Sequence, residues 1–133
     1  MPTDAERAAA LRSIPLFAEL EEASRQRIVE IAGELEAAAG QVLVQPRTEG
    51  SGMFVVEEGT VVVEREGKHI ELGVGEFFGE LALLTDTKRT ARVRAKTSAR
   101  LLAIPRDEFR ALIESEPRMA LGMLEVLAKR LAG

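Results

Sequence analysis

The chain has 133 residues, 46% hydrophobic and 30% charged, with 18 basic against 22 acidic side chains and a net charge of −4. That length and apolar content fit one domain with a real core and exclude a largely disordered chain. No cysteine, one histidine and five phenylalanines as the only aromatic residues exclude disulfides, thiolate zinc or iron–sulfur sites, a cysteine nucleophile and a multi-His metal site within one chain, and supply a base-stacking platform poorly.

The acidic balance argues against nonspecific nucleic-acid binding. No run of 18 apolar residues and no signal-like N-terminus occurs, so the sequence predicts a soluble, cytoplasmic protein with no membrane segment. Thr3-Asp4-Ala5-Glu6 has the form of a capping box and predicts a helix from about Asp4 to Arg12. Pro15 interrupts it. A second helix is expected from about Glu21 to Ala32, with Ile28, Ile31 and Ala32 at near-helical spacing and Gly33 as its terminator.

From Glu34 the texture changes to short β-branched runs: Val42-Leu43-Val44, Phe54-Val55-Val56, Val61-Val62-Val63, then Ile70 and Leu72. Each is bounded by Gly, Pro or a charged turn, at about ten-residue spacing, which predicts a compact antiparallel sandwich or barrel. Glu66-Gly67-Lys68 reads as a hairpin tip with His69 exposed beside it. Phe77 and Phe78 are adjacent and point to opposite faces if extended, with one in the core by default. Thr90 to Thr97 alternates: Ala91, Val93 and Ala95 on one face, Arg92, Arg94 and Lys96 on the solvated other. Ala99 to Ile104 is the last predicted strand.

Pro105 marks the exit, Arg106 to Ser115 reads as a helix, and Pro117 suits the first position of a final helix to Leu131. Ala120, Leu124, Leu127 and Leu131, with Met123 and Leu121 alongside, form a stripe on it that serves as packing against the β core, as a dimer seam, or as both. The fold class is α+β, with helices at both sequence ends of a β unit.

The segment that carries chemistry runs from Gly73 to Ala91, GVGEFFGELALLTDTKRTA. Its glycines have the wrong spacing for a dinucleotide fingerprint and lack the βαβ context, and no GxxxxGK[ST] loop occurs. A short turn beginning at Gly79 presents free backbone N–H groups, and glycine lets a ligand approach closely. Nine residues after Glu80 comes Arg89, whose planar fork matches two phosphate oxygens as lysine cannot. Glu80 beside a phosphate makes sense if it accepts from a sugar hydroxyl. Arg89 and Glu80 together describe a nucleotide with one compact phosphate; taken singly, such a pair also has the form of a surface salt bridge.

At this point the sequence resembles a cyclic nucleotide-binding domain. Phe78-Gly79-Glu80-Leu81-Ala82-Leu83-Leu84, then Arg89-Thr90-Ala91, looks like that family's phosphate-binding cassette. Ile14-Pro15-Leu16-Phe17 with Leu20 looks like its opening segment. Gly40, Met53 to Val56 and Gly59-Thr60-Val61 fall where its β-roll turns and strands fall, and Val93 to Thr97 is similar to a strand of catabolite-activator-type regulators. Lys88, where proline is common, and Pro46-Arg47, where Gly-Asp-like turn residues are common, depart from the pattern without removing a ligand-contacting group.

The resemblance implies one domain over 1–133: N-terminal helices over 1–33, an antiparallel, jelly-roll-like β-roll over 34–104 with the cassette at 78–91, and C-terminal helices over 105–133. It implies that Gly79 and the N–H groups near Leu81 and Ala82 hold a cyclic phosphate. Glu80 accepts from the ribose 2′-hydroxyl, and Arg89 pairs with the exocyclic phosphate oxygens. Thr90 lies near phosphate or base, Phe78 and Ala91, the two ends of the cassette, are among the ligand-binding residues, and Val63 and Ile70 wall the base. The ligand is cAMP or cGMP, with cAMP favoured and no further cofactor. Ending at Gly133, the chain leaves no room for a DNA-binding module; it reads as a sensor, either free-standing or cut from something larger, with a homodimer or effector partner through its C-terminal helix. A β-roll that binds no nucleotide and serves as an interaction module is the alternative. An enzyme is disfavoured, since one histidine cannot supply a 2-His-1-carboxylate triad and no Ser–His–Asp set can be assembled.

Overall fold

The computed structural model describes residues 3–44, 52–79 and 91–132. Thr3 caps the first helix, α1 (Asp4–Ala10): its hydroxyl accepts from the Glu6 amide at 3.1 Å, and the Glu6 carboxylate accepts from the Thr3 amide at 3.3 Å. The helix tightens into a 3₁₀ turn over Leu11–Ser13. Pro15 does more than interrupt. It takes the first position of a four-residue helix, α2 (Pro15–Ala18), where its missing N–H costs nothing.

A helix that short needs outside support. The buried Arg25, on α3 (Glu22–Ile31), donates to the carbonyls of Phe17 at 3.3 Å, Ala18 at 3.4 Å and Leu20. Gly33 does not terminate α3, contrary to expectation. Ala32 is already extended at φ −94° and ψ 149°, and Gly33 opens β1 (Gly33–Ala37).

Seven further strands follow among the described residues: β2 (Val42–Val44), β3 (Gly52–Glu58), β4 (Val61–Arg65), β5 (Lys68–Leu72), β6 (Phe77–Phe78), β7 (Arg92–Ala95) and β8 (Ala99–Pro105). They form two four-stranded antiparallel sheets, in the orders β1-β8-β3-β6 and β2-β7-β4-β5. The strand expected over Thr90 to Thr97 is shorter than read. The chain bends at 96–98, where the Lys96 and Thr97 amides both turn to the Thr60 carbonyl; Thr90 lies outside the described residues. The hairpin tip is where the sequence put it: Glu66 and Gly67 have φ of 52° and 78°, the doubly positive geometry that matches strand twist in a two-residue loop.

Two helices close the chain, α4 (Arg106–Ser115) and α5 (Pro117–Ala132). The period-2 alternation of β3 and β8 divides the interior into two cores. Met53, Val55, Leu102 and Ile104 face the helices, while Val56, Ala99 and Leu101 face the space between the sheets. The sheet containing them is therefore a middle layer. Helices cover one side of it, and the second sheet, with Val61, Leu72, Val93 and Ala95, covers the other.

The packing face of α5 is not the expected stripe. Met119 and Met123 are buried and Val126 packs at the margin of the helical core, whereas Leu121 and Leu124 are each 61% exposed and Leu131 91% exposed. The unbranched methionines fit the irregular gap against α2 and α4, and the leucines are left on the opposite side. Among the described residues no helix is long and apolar enough to cross a membrane.

In the β3–β8 ladder Val56 faces Leu101 and Glu58 faces Arg100, so Glu57 is the extra residue of a bulge. Its Oε1 is shut off from solvent with no hydrogen-bond partner. Burial and the Glu34 charge raise its pKa above the ordinary 4.5, against the opposing pull of Arg100 and Arg7. A raised carboxyl pKa means that the folded chain keeps a proton that the unfolded chain releases. The contribution of Glu57 to stability is therefore greatest in acid and falls as pH rises through 4.5 to the folded value. Glu57→Gln should raise the melting temperature by roughly 1–4 °C at pH 7 and leave it nearly unchanged at pH 4. A lower melting temperature at pH 7 would show that the two arginines outweigh the burial.

Candidate functional site

The two-residue strand β6 sets up the site. Phe54 pairs with Phe78 and Val55 with Phe77. Alternation sends the two phenylalanines into different cores, so both are buried where only one was expected to be. Phe78 stacks on Phe54 with ring centroids 5.0 Å apart and planes 17° apart, on the inner face of the roll. The next residue, Gly79, has φ of 91°, a left-handed conformation that glycine adopts without strain. Here the backbone leaves the first sheet.

The described chain resumes at Ala91, half-buried, immediately before β7 in the second sheet. Residues 80–90 thus connect the two sheets. Glu80, Leu81, Ala82, Arg89 and Thr90 lie in that connection, outside the described residues. Of the expected site set, Phe78, Gly79, Ala91, Val63 and Ile70 are described.

Val63 pairs with Val93 on one side and Ile70 on the other. All three therefore share one face of the second sheet, the face turned to the roll interior. Val63 is half-buried there, against the interior core. Ile70, at the edge strand, stays 56% exposed, so an apolar side chain on the inner face remains open to solvent. Two surface depressions outlined by described residues, around Glu58, Ser98 and Arg100 and around Glu64, Gly67 and Arg92, include none of the expected site residues.

Several cations of the outer face are paired. Arg94 donates to Glu64 at 2.7 Å, Lys96 pairs with Glu71, and His69 lies 3.8 Å from Glu64 on the exposed hairpin. These are cross-strand contacts of a solvated face, as the alternation predicted.

One residue near the site was missed. Arg130, in the last turn of α5, donates to the Phe77 carbonyl at 2.6 Å and sits with its guanidinium 4.7 Å from the Phe77 ring centroid. A basic residue in the last turn of a helix reads in sequence as a complement to the helix dipole. Nothing local announces a partner 53 positions away.

The family model described as "Cyclic nucleotide-binding domain" matches residues 34–116. A cyclic nucleotide-gated potassium channel of Rhizobium etli is 34% identical over 121 residues, covering 91% of this chain and 34% of the channel. A cAMP-dependent protein kinase regulatory subunit of Schizosaccharomyces pombe is 30% identical over 122 residues, covering 85% and 30%. Among solved structures, the Thermus thermophilus catabolite activator protein superposes with a TM-score of 0.78 at 29% identity, over 89% of this chain and 58% of that one. The chain spans about a third of the length of these curated relatives.

Proposed function

Because the chain belongs to the cyclic nucleotide-binding domain family, we propose that it is a noncatalytic sensor that binds a 3′,5′-cyclic nucleotide, cAMP in preference to cGMP, and relays occupancy through α4 and α5. On this reading residues 1–133 act as one domain. The observation that carries the reading is Gly79. Its left-handed backbone ends β6 beside the interior aromatic stack, at the point where the sequence continues Glu80-Leu81-Ala82.

Gly79 and the amides near Leu81 and Ala82 hold the cyclic phosphate, and Arg89 closes on its exocyclic oxygens as a bidentate fork. Glu80 accepts from the ribose 2′-hydroxyl. Phe78 and Ala91 bracket the cassette, Thr90 meets phosphate or base, and Val63 with the open Ile70 supplies the apolar wall for the purine. The name of the fission-yeast relative supports cAMP as the favoured ligand.

A thermal-shift series with cAMP, cGMP and their 5′-monophosphates tests the ligand class. Ligand that binds only the folded chain raises the melting temperature by mass action. The cyclic forms should raise it, cAMP most at equal concentration, and the open monophosphates should not. In calorimetry Glu80→Gln should weaken cAMP by about ten- to hundredfold and 2′-deoxy-cAMP much less, since the lost bond is worth about 1.5–3 kcal/mol. Equal losses for both ligands would remove Glu80 from the ribose.

The exposed Leu121, Leu124 and Leu131 support a second role, for the outer face of α5 as a contact to an effector or a second copy. If millimolar cAMP and cGMP give no thermal shift, the chain is instead an interaction module working through that face.

A further inference from the structure

The edges of the two sheets differ in how they are protected. β6 is only two residues long, β2 has a register shift between Val42 and Val44, and β1 is tied at Glu34 to Arg7 of α1 at 3.2 Å. β5 has none of these devices. It is five residues long, pairs in unbroken register with β4, and among the described residues has no strand on its other side. Lys68, His69, Ile70 and Glu71 are all exposed, and within the strand only Leu72 is buried.

The hairpin turn fixes which backbone groups of this edge are free. Glu66 and Gly67 form a two-residue loop closed by the Arg65–Lys68 pair, so that pair exchanges its hydrogen bonds, and the alternate pairs Val63–Ile70 and Val61–Leu72 do the same. The N–H and C=O groups of His69 and Glu71 therefore point away from β4. The side chains of these two residues lie on the outer face, beside Glu64 and Lys96, while Ile70 between them lies on the inner face, 56% exposed.

We propose that β5 is a docking edge for a second copy of this chain, paired antiparallel, β5 to β5, about a twofold axis at Ile70. The outward groups admit centring on His69, on Ile70 or on Glu71. Centring on His69 sets imidazole against imidazole and leaves Glu71 opposite Gly67, and centring on Glu71 sets two carboxylates face to face. Centring on Ile70 sets each His69 opposite Glu71 of the other copy and brings the two open Ile70 side chains together on the inner face. Lys68 then falls opposite Leu72 rather than another lysine. The contact is isologous and joins the second sheets of both copies into one. A single short edge buries little surface, so the dimer is weak. Nothing in this pairing needs nucleotide, and it does not rest on the sensor reading.

The chain has no cysteine, so introduced thiols read the register on the whole protein. Directly opposed residues of a non-hydrogen-bonded pair have Cα atoms about 4.5 Å apart, within disulfide reach. Under mild oxidation Ile70→Cys should form a covalent dimer at least tenfold faster than His69→Cys, Glu71→Cys or the comparably exposed Val74→Cys. In sedimentation equilibrium the wild-type chain should dimerise, and His69→Glu, which opposes carboxylates at both symmetric positions, should weaken the dimer at least tenfold. Adding Glu71→His to that variant should restore the dimer to within about threefold of wild type. The double variant keeps the same new carboxylate beside Glu64, so the rescue isolates the contact between copies. A wild-type chain that stays monomeric, or crosslinking fastest at 69, 71 or 74, overturns the proposal. A dimer untouched by His69→Glu and abolished by Leu124→Glu lies on α5 and overturns it as well.

Discussion

Arg89→Ala should weaken cAMP binding at least tenfold, with several hundredfold at the middle of the expected range, while the unliganded chain melts within about 2 °C of wild type. Truncating one partner of a desolvated charge pair costs about 2–5 kcal/mol, because the phosphate left behind has lost both its counter-charge and its hydrogen bonds. Arg89→Lys separates the two contributions. Its point charge restores attraction but not the paired, planar donors, so it should recover only part of the loss. Calorimetric titration against wild type decides the matter, and equal dissociation constants for wild type and Arg89→Ala would end the phosphate assignment. The loss should also appear mainly in the dissociation rate, since a contact buried in the complex acts after encounter.

Gly59→Ala should lower the melting temperature by about 10 °C or more. Gly59 turns β3 into β4 at φ 84°, and a Cβ there would lie 2.2 Å from the Ser98 carbonyl oxygen and 2.9 Å from the Ala99 Cα. Both obstacles are backbone, at the start of β8, so no side-chain rotation relieves them. The left-handed strain and the clash together cost about 3–5 kcal/mol, and a domain of this size loses roughly 3–6 °C per kcal/mol. Gly40→Ala is the control. Its φ is 88° but a Cβ would meet nothing within 4 Å, so only the conformational cost of about 1–2 kcal/mol remains. Equal melting temperatures for the two variants in calorimetry would show that the close approach of Gly59 to β8 is not what the position requires.

The strands and helices that announce themselves by local chemistry are the ones the sequence analysis places correctly. The Thr3–Glu6 box, the Glu66-Gly67 turn and the Arg92–Ala95 alternation each depend on residues a few positions apart. What escapes is set by distant partners. β1 exists because Gly33–Ala37 pairs with β8, 62 to 70 residues later, and its Gly-Glu-Leu-Glu-Ala sequence has little strand propensity of its own. The packing face of α5 is centred away from the Leu124 stripe, because leucine and methionine are equally apolar and only the shape of the gap between α2 and α4 selects Met119 and Met123 over Leu121 and Leu124. The proposed site residues stand in the sequence as an ordered motif from Phe78 to Ala91, in which glycine, carboxylate and guanidinium would each have a distinct job toward a phosphorylated sugar. Arg130 was not legible, because its partner is a main-chain carbonyl, which every residue possesses.

The strand of Phe77 and Phe78 is bonded to β3 and has one ring in each interior compartment. It behaves as a see-saw plank with a passenger at either end. A sideways push on Phe78 cannot be absorbed where it arrives, because the same rigid peptide carries Phe77, and close-packed surroundings leave neither ring room to yield alone. Whatever displaces the roll side of this plank must therefore register on the helix side as well, without any additional wiring between them.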